Sequence, residues 1–370
     1  MGASSSSQES IGASPQAPRR GPDAPTLAER FVLAFRLPYP VGCLLVGFFL
    51  FGALDVALSA FAETANPATT VARTLAPVSL LTDLLVAYSF YAPRYMRRRL
   101  VETGRSLSNL LPDRDAEFRR IFAEVAAPRP QIIAWLLFLV ALLAAVSVPA
   151  ILGTGPSPFV FNAGAGTALE FVAGIYGILS LAVATLALSS VVWTFWSISL
   201  GIHRFGRVPL ALRPYYEDPF LGLKPLGVLS LSLAFSYFGF IGLFLLVLSA
   251  SPGTPTTADV VGVGGFLSGL VLLGLVLFFL PLRGLHRRMA DQKREEIVRL
   301  RPKLSPIYED GASRPALDVA HLVRIDMTDR KVAAMAIWPY DVGILGRLSA
   351  ITLSVIAILL SRIIALIFHI

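Results

Sequence analysis

Residues 264–282 read GGFLSGLVLLGLVLFFLPL, and residues 283–300 continue as RGLHRRMADQKREEIVRL. The first stretch carries no charge and is about as long as the helix of roughly 20 residues that crosses a bilayer. The second stretch has no helix breaker and keeps a partial stripe of apolar residues at helical spacing. The sequence therefore predicts one helix that leaves the membrane and continues into water, and we expect Pro302 to end it.

The composition of the whole chain agrees with this segment. The chain has 370 residues, of which 55% are hydrophobic and 15% are charged, and its mean hydropathy is +0.68. A soluble globular chain has about 25% charged residues, so a soluble enzyme, a disordered chain and a fibrous repeat are excluded. We expect an all-α, polytopic transmembrane bundle. Its seven predicted spans are 39–62, 72–92, 131–152, 168–200, 227–250, 260–283 and 348–370.

The charged loops predict the orientation of these spans. The loops on one side are rich in Arg: 93–130, 201–226 and 283–347. The loops on the other side contain no basic residue: 63–71, 153–167 and 251–259. The positive-inside rule then places the N-terminus in the cytoplasm and the C-terminus outside.

The same pattern predicts the organisation of the chain outside the spans. Residues 1–38 are expected to form a disordered cytoplasmic tail and the approach to the membrane, and 39–283 a six-helix membrane bundle. Residues 284–347 are expected to hold cytoplasmic amphipathic helices before the seventh span, 348–370. One amphipathic helix is predicted near 315–336. It either pairs with the extension of the sixth span or lies on the membrane.

Loop 93–130 contains a further amphipathic segment. Phe118, Ile121 and Phe122 are spaced like one face of a helix. We expect an interfacial helix that points Arg119 and Arg120 towards lipid headgroups.

Charge and cysteine content bound the partners and cofactors. The net charge is +8, but the basic residues flank apolar runs, which indicates anionic headgroups at the cytoplasmic face instead of nucleic acid. A protein partner is possible, and the sequence does not determine the oligomeric state. The Arg-rich composition suggests the cytoplasmic (plasma) membrane of a prokaryote. The single cysteine, Cys43, allows no intrachain disulfide and no thiolate metal site. We assign no cofactor, no metal and no catalytic residue.

Charged residues inside spans are the first candidates for function, because each is costly in lipid. Asp55 and Arg362 have matching depths below the outer surface and could form an ion pair between the first and last spans. That pair would lock the bundle or take part in an ion pathway. Asp83 is predicted near the middle of the second span, either as a proton or cation relay or as a structural carboxyl group.

Interfacial candidates follow the fourth and sixth spans. His203 and His286 share the pattern Gly-X-His-Arg, and Glu217 and Asp218 lie in the proline-rich loop 201–226. A lipid-acting enzyme would have to use these four residues. A metal site formed by the two histidines is an alternative, although a cation at a helix C-terminus suits the helix dipole without further purpose. The loop itself is either a rigid turn or a vestibule or docking loop.

Three short motifs resemble a group of uncharacterised prokaryotic multipass membrane proteins: Gly-Leu-Lys-Pro-Leu-Gly at 222–227, Leu-His-Arg-Arg-Met to Lys at 285–293, and Trp-Pro-Tyr-Asp at 338–341. The resemblance implies a polytopic architecture and no activity. Within the last motif, Trp338 and Tyr340 fit an aromatic belt, and Asp341 is placed to cap the last helix.

Three functions remain open from the sequence. The first is a membrane scaffold or sensor with basic helices that bind lipid or a partner. The second is a transporter or channel for an ion or small solute that uses Asp83 and Asp55. The third is a membrane-embedded enzyme acting on lipid, which the sparse polar residues favour least.

Overall fold

The computed structural model describes residues 22–53, 77–107, 110–111, 114–151, 168–250, 257–309 and 319–368, and every regular element within these ranges is helical. The α-helices are α1 Leu27–Leu33, α2 Tyr39–Leu45, α3 Pro77–Leu107, α4 Arg114–Ile121, α5 Pro128–Ile151, α6 Ala168–Phe205, α7 Lys224–Ala250, α8 Thr257–Glu309, α9 Val319–Ala333 and α10 Val342–Phe368. A π-helical turn, Val46–Ala53, extends α2, and a 3-10 helix, Ala123–Ala126, follows α4. The expected all-α class is confirmed for this part of the chain.

Four helical segments are long and apolar enough to cross a membrane: Ile175–Phe205, Lys224–Ala250, Gly264–Pro302 and Val342–Ser361. Two shorter apolar helices, Tyr39–Phe49 and Pro128–Ala144, fall at the predicted first and third spans. The outward faces expose large apolar side chains, with Leu137, Leu272 and Leu353 each more than 60% exposed. An apolar surface of this kind fits contact with lipid tails.

Helix α3 lies at the centre of the bundle and packs mainly on α7, α6 and the π-helical turn. Helix α7 packs in turn on α10 and α8. We call the end at which α6 finishes, near Phe205, and α7 begins, at Lys224, the basic end. The buried core is densest towards this end, where Phe122, Phe205 and Phe278 are almost completely inaccessible.

The amphipathic stripe of loop 93–130 packs on protein, so the expectation that it lies on lipid is wrong. Phe118 is 7% exposed and Phe122 is fully buried. A Cβ atom at Gly104 would overlap the Phe118 ring, and one at Gly201 would overlap the Phe122 ring. The two rings therefore fit against α3 and α6 at positions where glycine leaves room, while Arg119 and Arg120 are exposed.

The prediction that Pro302 ends the long helix is also wrong, because α8 continues to Glu309. Proline removes one hydrogen bond, to the carbonyl of Val298 four residues earlier. Val298 is 66% exposed, so water can solvate that carbonyl and the helix tolerates the loss. The predicted uninterrupted passage from the sixth span into residues 285–300 is confirmed. The predicted helix near 315–336 is present as α9, with residues 315–318 outside the described ranges.

Candidate functional site at the basic end

Helices α6 and α8 cross closely at a pair of glycines. A Cβ atom on Gly206 would lie 3.2 Å from the backbone C of Gly284 and the backbone N of Leu285. The Arg288 guanidinium spans the crossing and donates hydrogen bonds to the carbonyls of Gly206 and Val208. It thereby holds the turn that follows α6 against α8. The crossing brings side chains of two helices together at fixed positions.

A cavity of about 520 Å³ opens beside this crossing. We call it the basic cavity. Its basic residues are His203, Arg207, Arg283 and Arg287. Its apolar residues are Trp196, Leu200, Leu277, Leu280 and Pro281. About half of the lining residues are therefore hydrophobic, and most of the others are basic.

Among the residues that the structure describes, no carboxylate neutralises the positive charge of the basic cavity. No acidic residue lines the cavity. Within the described ranges, Arg207, Arg283 and Arg287 form no ion pair with a carboxylate. Ser199 also lines the cavity, and its buried hydroxyl has no hydrogen-bond partner in the same part of the chain. The cavity thus offers several hydrogen-bond donors that the fold itself does not use.

A second structure at the basic end joins α7, α8 and α10. We call it the clasp, and it consists of residues 334–341 together with the side chains that hold them. Lys224 pairs with Asp341 at 2.7 Å, and Lys293 donates to the carbonyls of Ala333 and Met335 at 2.8 and 2.9 Å. The lysine on α8 therefore caps the C-terminal end of α9. Among the described residues, α9 contacts α8 at that end, which corresponds to the first of the two arrangements left open by the sequence.

Aromatic rings fill the clasp. The Trp338 ring stacks on the His286 ring with centroids 4.0 Å apart. It also meets Phe279 edge-on at 6.1 Å and stacks on Tyr340 at 5.4 Å. His286 Nδ1 lies 2.9 Å from the carbonyl of Ile337 and therefore carries the proton of this hydrogen bond. Trp338 and Tyr340 thus pack on protein side chains, in addition to any role at the membrane interface.

Asp341 caps α10 as the sequence predicts. Its Oδ1 accepts the backbone N–H of Ile344 at 2.9 Å, and its Oδ2 contacts Lys224. The hydrogen bond from Lys224, followed by that from Ile344, lowers the pKa of the Asp341 carboxyl group below its usual range. One carboxylate therefore connects the starts of α7 and α10.

Hydrogen bonds to Asp218 hold the proline-rich loop in a turn. The two carboxylate oxygens accept the backbone N–H groups of Phe220 and Gly222, each at 2.9 Å. Leu221 and Gly222 follow with φ of 56° and 85°. The carbonyl of Pro219 accepts a hydrogen bond from the backbone of Ala336 at 3.0 Å. The loop therefore braces the clasp, and Glu217 remains exposed on its surface.

The four interfacial candidates do not assemble into one site. His203 lines the basic cavity, whereas Asp218 lines a different cavity of about 500 Å³ beside Arg99 and Lys224. His286 is stacked within the clasp. Within the described ranges, no three His, Cys, Asp or Glu side chains are grouped so that they could hold a metal ion. The arrangement therefore gives no support to a metal site built on the two histidines.

Asp83 lies in the interior of the bundle and is only 3% exposed. A Cβ atom at Gly52 would lie 2.8 Å from Asp83 Oδ2, so the π-helical turn leaves space for the carboxylate. π-Helical turns occur often at functional positions. Asp55 and the side chain of Arg362 lie outside the described residues, so their proposed ion pair stays a prediction.

Sequence reasoning missed two features of the basic end. The first is the trio Arg207, Arg283 and Arg287, which helical spacing from Trp196 and Leu277 could have revealed. The second is a buried ion pair between Glu29 in α1 and Arg97 in α3, 2.7 Å apart. The 68 residues that separate this pair leave no local signal in the sequence.

The three motifs that carry the resemblance meet in the clasp. The first supplies Lys224, the second supplies His286 and Lys293, and the third supplies Trp338 and Asp341. Comparison of the chain with protein-family models, with curated proteins and with solved structures found no significant match.

Proposed function

We propose that this protein is a membrane scaffold or sensor with seven spans, an N-terminus in the cytoplasm and a C-terminus outside. In this proposal the basic end faces the cytoplasm of a prokaryotic cell. The extension of α8 after residue 283, together with α9, forms a cytoplasmic hairpin that binds lipid or a protein partner. The hairpin takes its position from the membrane bundle.

One observation carries the proposal: a single unbroken helix, α8, belongs both to the bundle and to the hairpin. The clasp strengthens this connection, since Lys293 holds the end of α9 and His286 holds Trp338. Packed contacts of this kind transmit a rotation or tilt instead of absorbing it. A flexible loop in place of these contacts would absorb such a rotation or tilt.

Thiol labelling tests the proposed orientation. Cys43 is buried and is the only cysteine, so Cys43→Ala provides a background without thiols. In that background, a membrane-impermeant maleimide should label Arg301→Cys only in inside-out vesicles and Asp259→Cys only in right-side-out vesicles. Labelling of both positions from the same side would refute an odd number of crossings between them.

Distance measurements test the coupling between hairpin and bundle. Spin labels at Arg120 and Asp329, both exposed, report the position of α9 relative to α4. We expect one narrow distance distribution in the parent protein and a clearly broader one after Trp338→Ala, because the stacked rings are lost. Phe266→Ala, at a residue that is 60% exposed on α8, is the matched control. An unchanged distribution in the Trp338 variant would contradict the coupling.

The buried carboxyl group of Asp83 favours transport of protons or a small cation as a second candidate function. An ionisable group inside a membrane bundle commonly marks a pathway. Proteoliposomes with the parent protein and with Asp83→Asn should then differ in flux at equal protein content. Absence of flux in both would remove protons and the tested ions from consideration and leave the scaffold proposal in place.

A further inference from the structure

The basic cavity is lined by two parallel stripes of side chains. On α6, Trp196, Leu200 and His203 follow each other at spacings of three or four residues, which places them on one helix face, and Arg207 lies in the turn directly after the helix. The stripe begins with apolar residues and ends with basic ones. Trp196 is 55% exposed, so the apolar part opens to the outside of the bundle.

Helix α8 repeats this order. Leu277, Leu280, Gly284 and Arg287 also lie on one face, and Arg283 flanks it. Leu280 is 51% exposed on the outer surface. Both helices run towards the basic end, so their apolar halves lie side by side and their basic halves lie side by side. The cavity therefore changes from hydrophobic to cationic along the direction of the helices.

Such a lining suits a molecule with an apolar part and an anionic head. Guanidinium groups bind phosphate oxygens through two parallel hydrogen bonds, and this geometry makes arginine a favoured ligand for phosphate. Arg207, Arg283 and Arg287 have no carboxylate partner in the described part of the chain, and the Ser199 hydroxyl has no hydrogen-bond partner there. Together they offer donors for one phosphate group. The volume of about 520 Å³ falls in the usual range of ligand sites.

We propose that the basic cavity binds the phosphate headgroup of an anionic phospholipid from the adjacent leaflet, with an acyl chain along Leu277 and Trp196. The proposal rests on the membrane architecture proposed above but does not depend on the clasp. It differs from diffuse attraction between basic loops and a charged surface, because it assigns one lipid to one position. The ligand is a lipid and not free phosphate, since half of the lining is apolar and open to the bilayer side.

Native mass spectrometry of the full chain in detergent can test the site. Phosphatidylglycerol and phosphatidylcholine with identical acyl chains are titrated separately, and the Kd of the first bound lipid is read. The cavity variant replaces Arg207, Arg283 and Arg287 by Gln. Each basic residue near an anionic lipid surface contributes about fivefold in affinity, so the loss of three should weaken phosphatidylglycerol binding about 100-fold. Binding of phosphatidylcholine should change little.

A charge-matched control separates the cavity from overall charge. Replacement of Arg120, Arg294 and Arg301 by Gln removes the same charge from exposed positions outside the cavity. We expect less than about a threefold change, because these three residues do not line the cavity and act on a lipid bound there only through long-range attraction that salt screens. Equal losses in the two triple variants would overturn the proposal and indicate diffuse attraction.

Two further experiments test whether the cavity itself holds the lipid. Leu280→Trp fills the cavity without a change of charge and should weaken phosphatidylglycerol binding at least about tenfold. This variant tests whether the cavity is the lipid site even if the triple variant fails to fold. Undiminished binding in this variant would overturn the site. Inorganic phosphate and glycerol phosphate should not displace the lipid at equal concentration, and displacement would refute a lipid as the occupant. Thiol labelling of Arg301→Cys reports failure of the membrane architecture separately.

Discussion

The buried ion pair between Glu29 in α1 and Arg97 in α3 leads to a quantitative prediction of stability. Glu29 is 1% exposed and Arg97 is 13% exposed. The guanidinium donates to both carboxylate oxygens, at 3.0 and 2.7 Å, and to the carbonyl of Asp23 at 2.6 Å. Removal of one partner from a buried pair costs about 3–5 kcal/mol. Since Arg97 keeps the carbonyl of Asp23, we expect the lower value for Glu29→Ala.

The native thiol of Cys43 provides the assay. Cys43 is 2% exposed and belongs to a buried cluster with Val32 of α1 and Phe90 of α3. Helix α1 packs directly on α2, since a Cβ atom at Gly42 would lie 2.7 Å from Val32 Cγ1. Detachment of α1 therefore uncovers the thiol. A loss of about 3 kcal/mol increases the population of the detached state, and with it the labelling rate, by about 100-fold.

Matched variants make the result interpretable. Glu102→Ala removes an ion pair with Arg99 whose side chains are 59% and 46% exposed, and exposed pairs contribute only about 0.2–1 kcal/mol. Its labelling rate should stay within about fivefold of the parent rate. The double change Glu29→Leu with Arg97→Leu should label more slowly than Glu29→Ala, because it leaves no unpaired charge. A parent-like labelling rate in a folded Glu29→Ala protein would refute the reasoning.

Three further predictions concern other contacts of the basic end. Gly206→Leu should lower the thermal unfolding temperature, because the new side chain meets the α8 backbone, at a cost in unfolding free energy of about 1–3 kcal/mol. Gly242→Leu is the control and should leave the unfolding temperature unchanged, because a Cβ atom there has nothing within 4 Å. Gln131→Leu leaves the backbone N–H of Leu27 without its 2.8 Å partner and should cost about 1–3 kcal/mol, measured as faster labelling of Cys43. The pKa of Asp341 is lowered in the folded protein, so its stabilisation is complete above the ordinary Asp pKa of about 4 and is lost as the pH falls through the lowered value. Thermal unfolding of Asp341→Asn should lack this acidic component, and identical acid profiles in the two proteins would contradict it.

Local features of the fold were predictable from the sequence because their causes are local. Apolar runs predicted helices at 168–200 and 227–250, and both are present in α6 and α7. The acidic residue before the last apolar run predicted the N-cap of α10, and Asp341 forms it. The unbroken passage from the apolar part of α8 into its charged part was predicted in the same way, from the absence of a helix breaker between them.

Other features depend on contacts between distant segments. The stripe of Phe118 and Phe122 is equally suited to lipid and to a protein groove, and only the glycines of α3 and α6 decide between them. Convergence of Arg207 with Arg287 requires the close crossing at Gly206, which depends on the packing of whole helices. The spacing along each segment can indicate its own basic residues, but no pattern along the chain shows that the two segments meet.

The length of α8 has a mechanical consequence. From Arg283 to its end at Glu309, the helix extends about 40 Å beyond the apolar segment at 1.5 Å per residue. In the proposed membrane arrangement, this continuous helix would act as a lever arm with its pivot at the bilayer surface. A tilt of only about 5° within the membrane displaces the far tip by about 3–4 Å, a shift comparable to those that separate alternative states at protein interfaces. If α8 crosses the bilayer as proposed, small changes in bilayer thickness, which tilt membrane helices, would be amplified into a movement large enough for the proposed partner to detect.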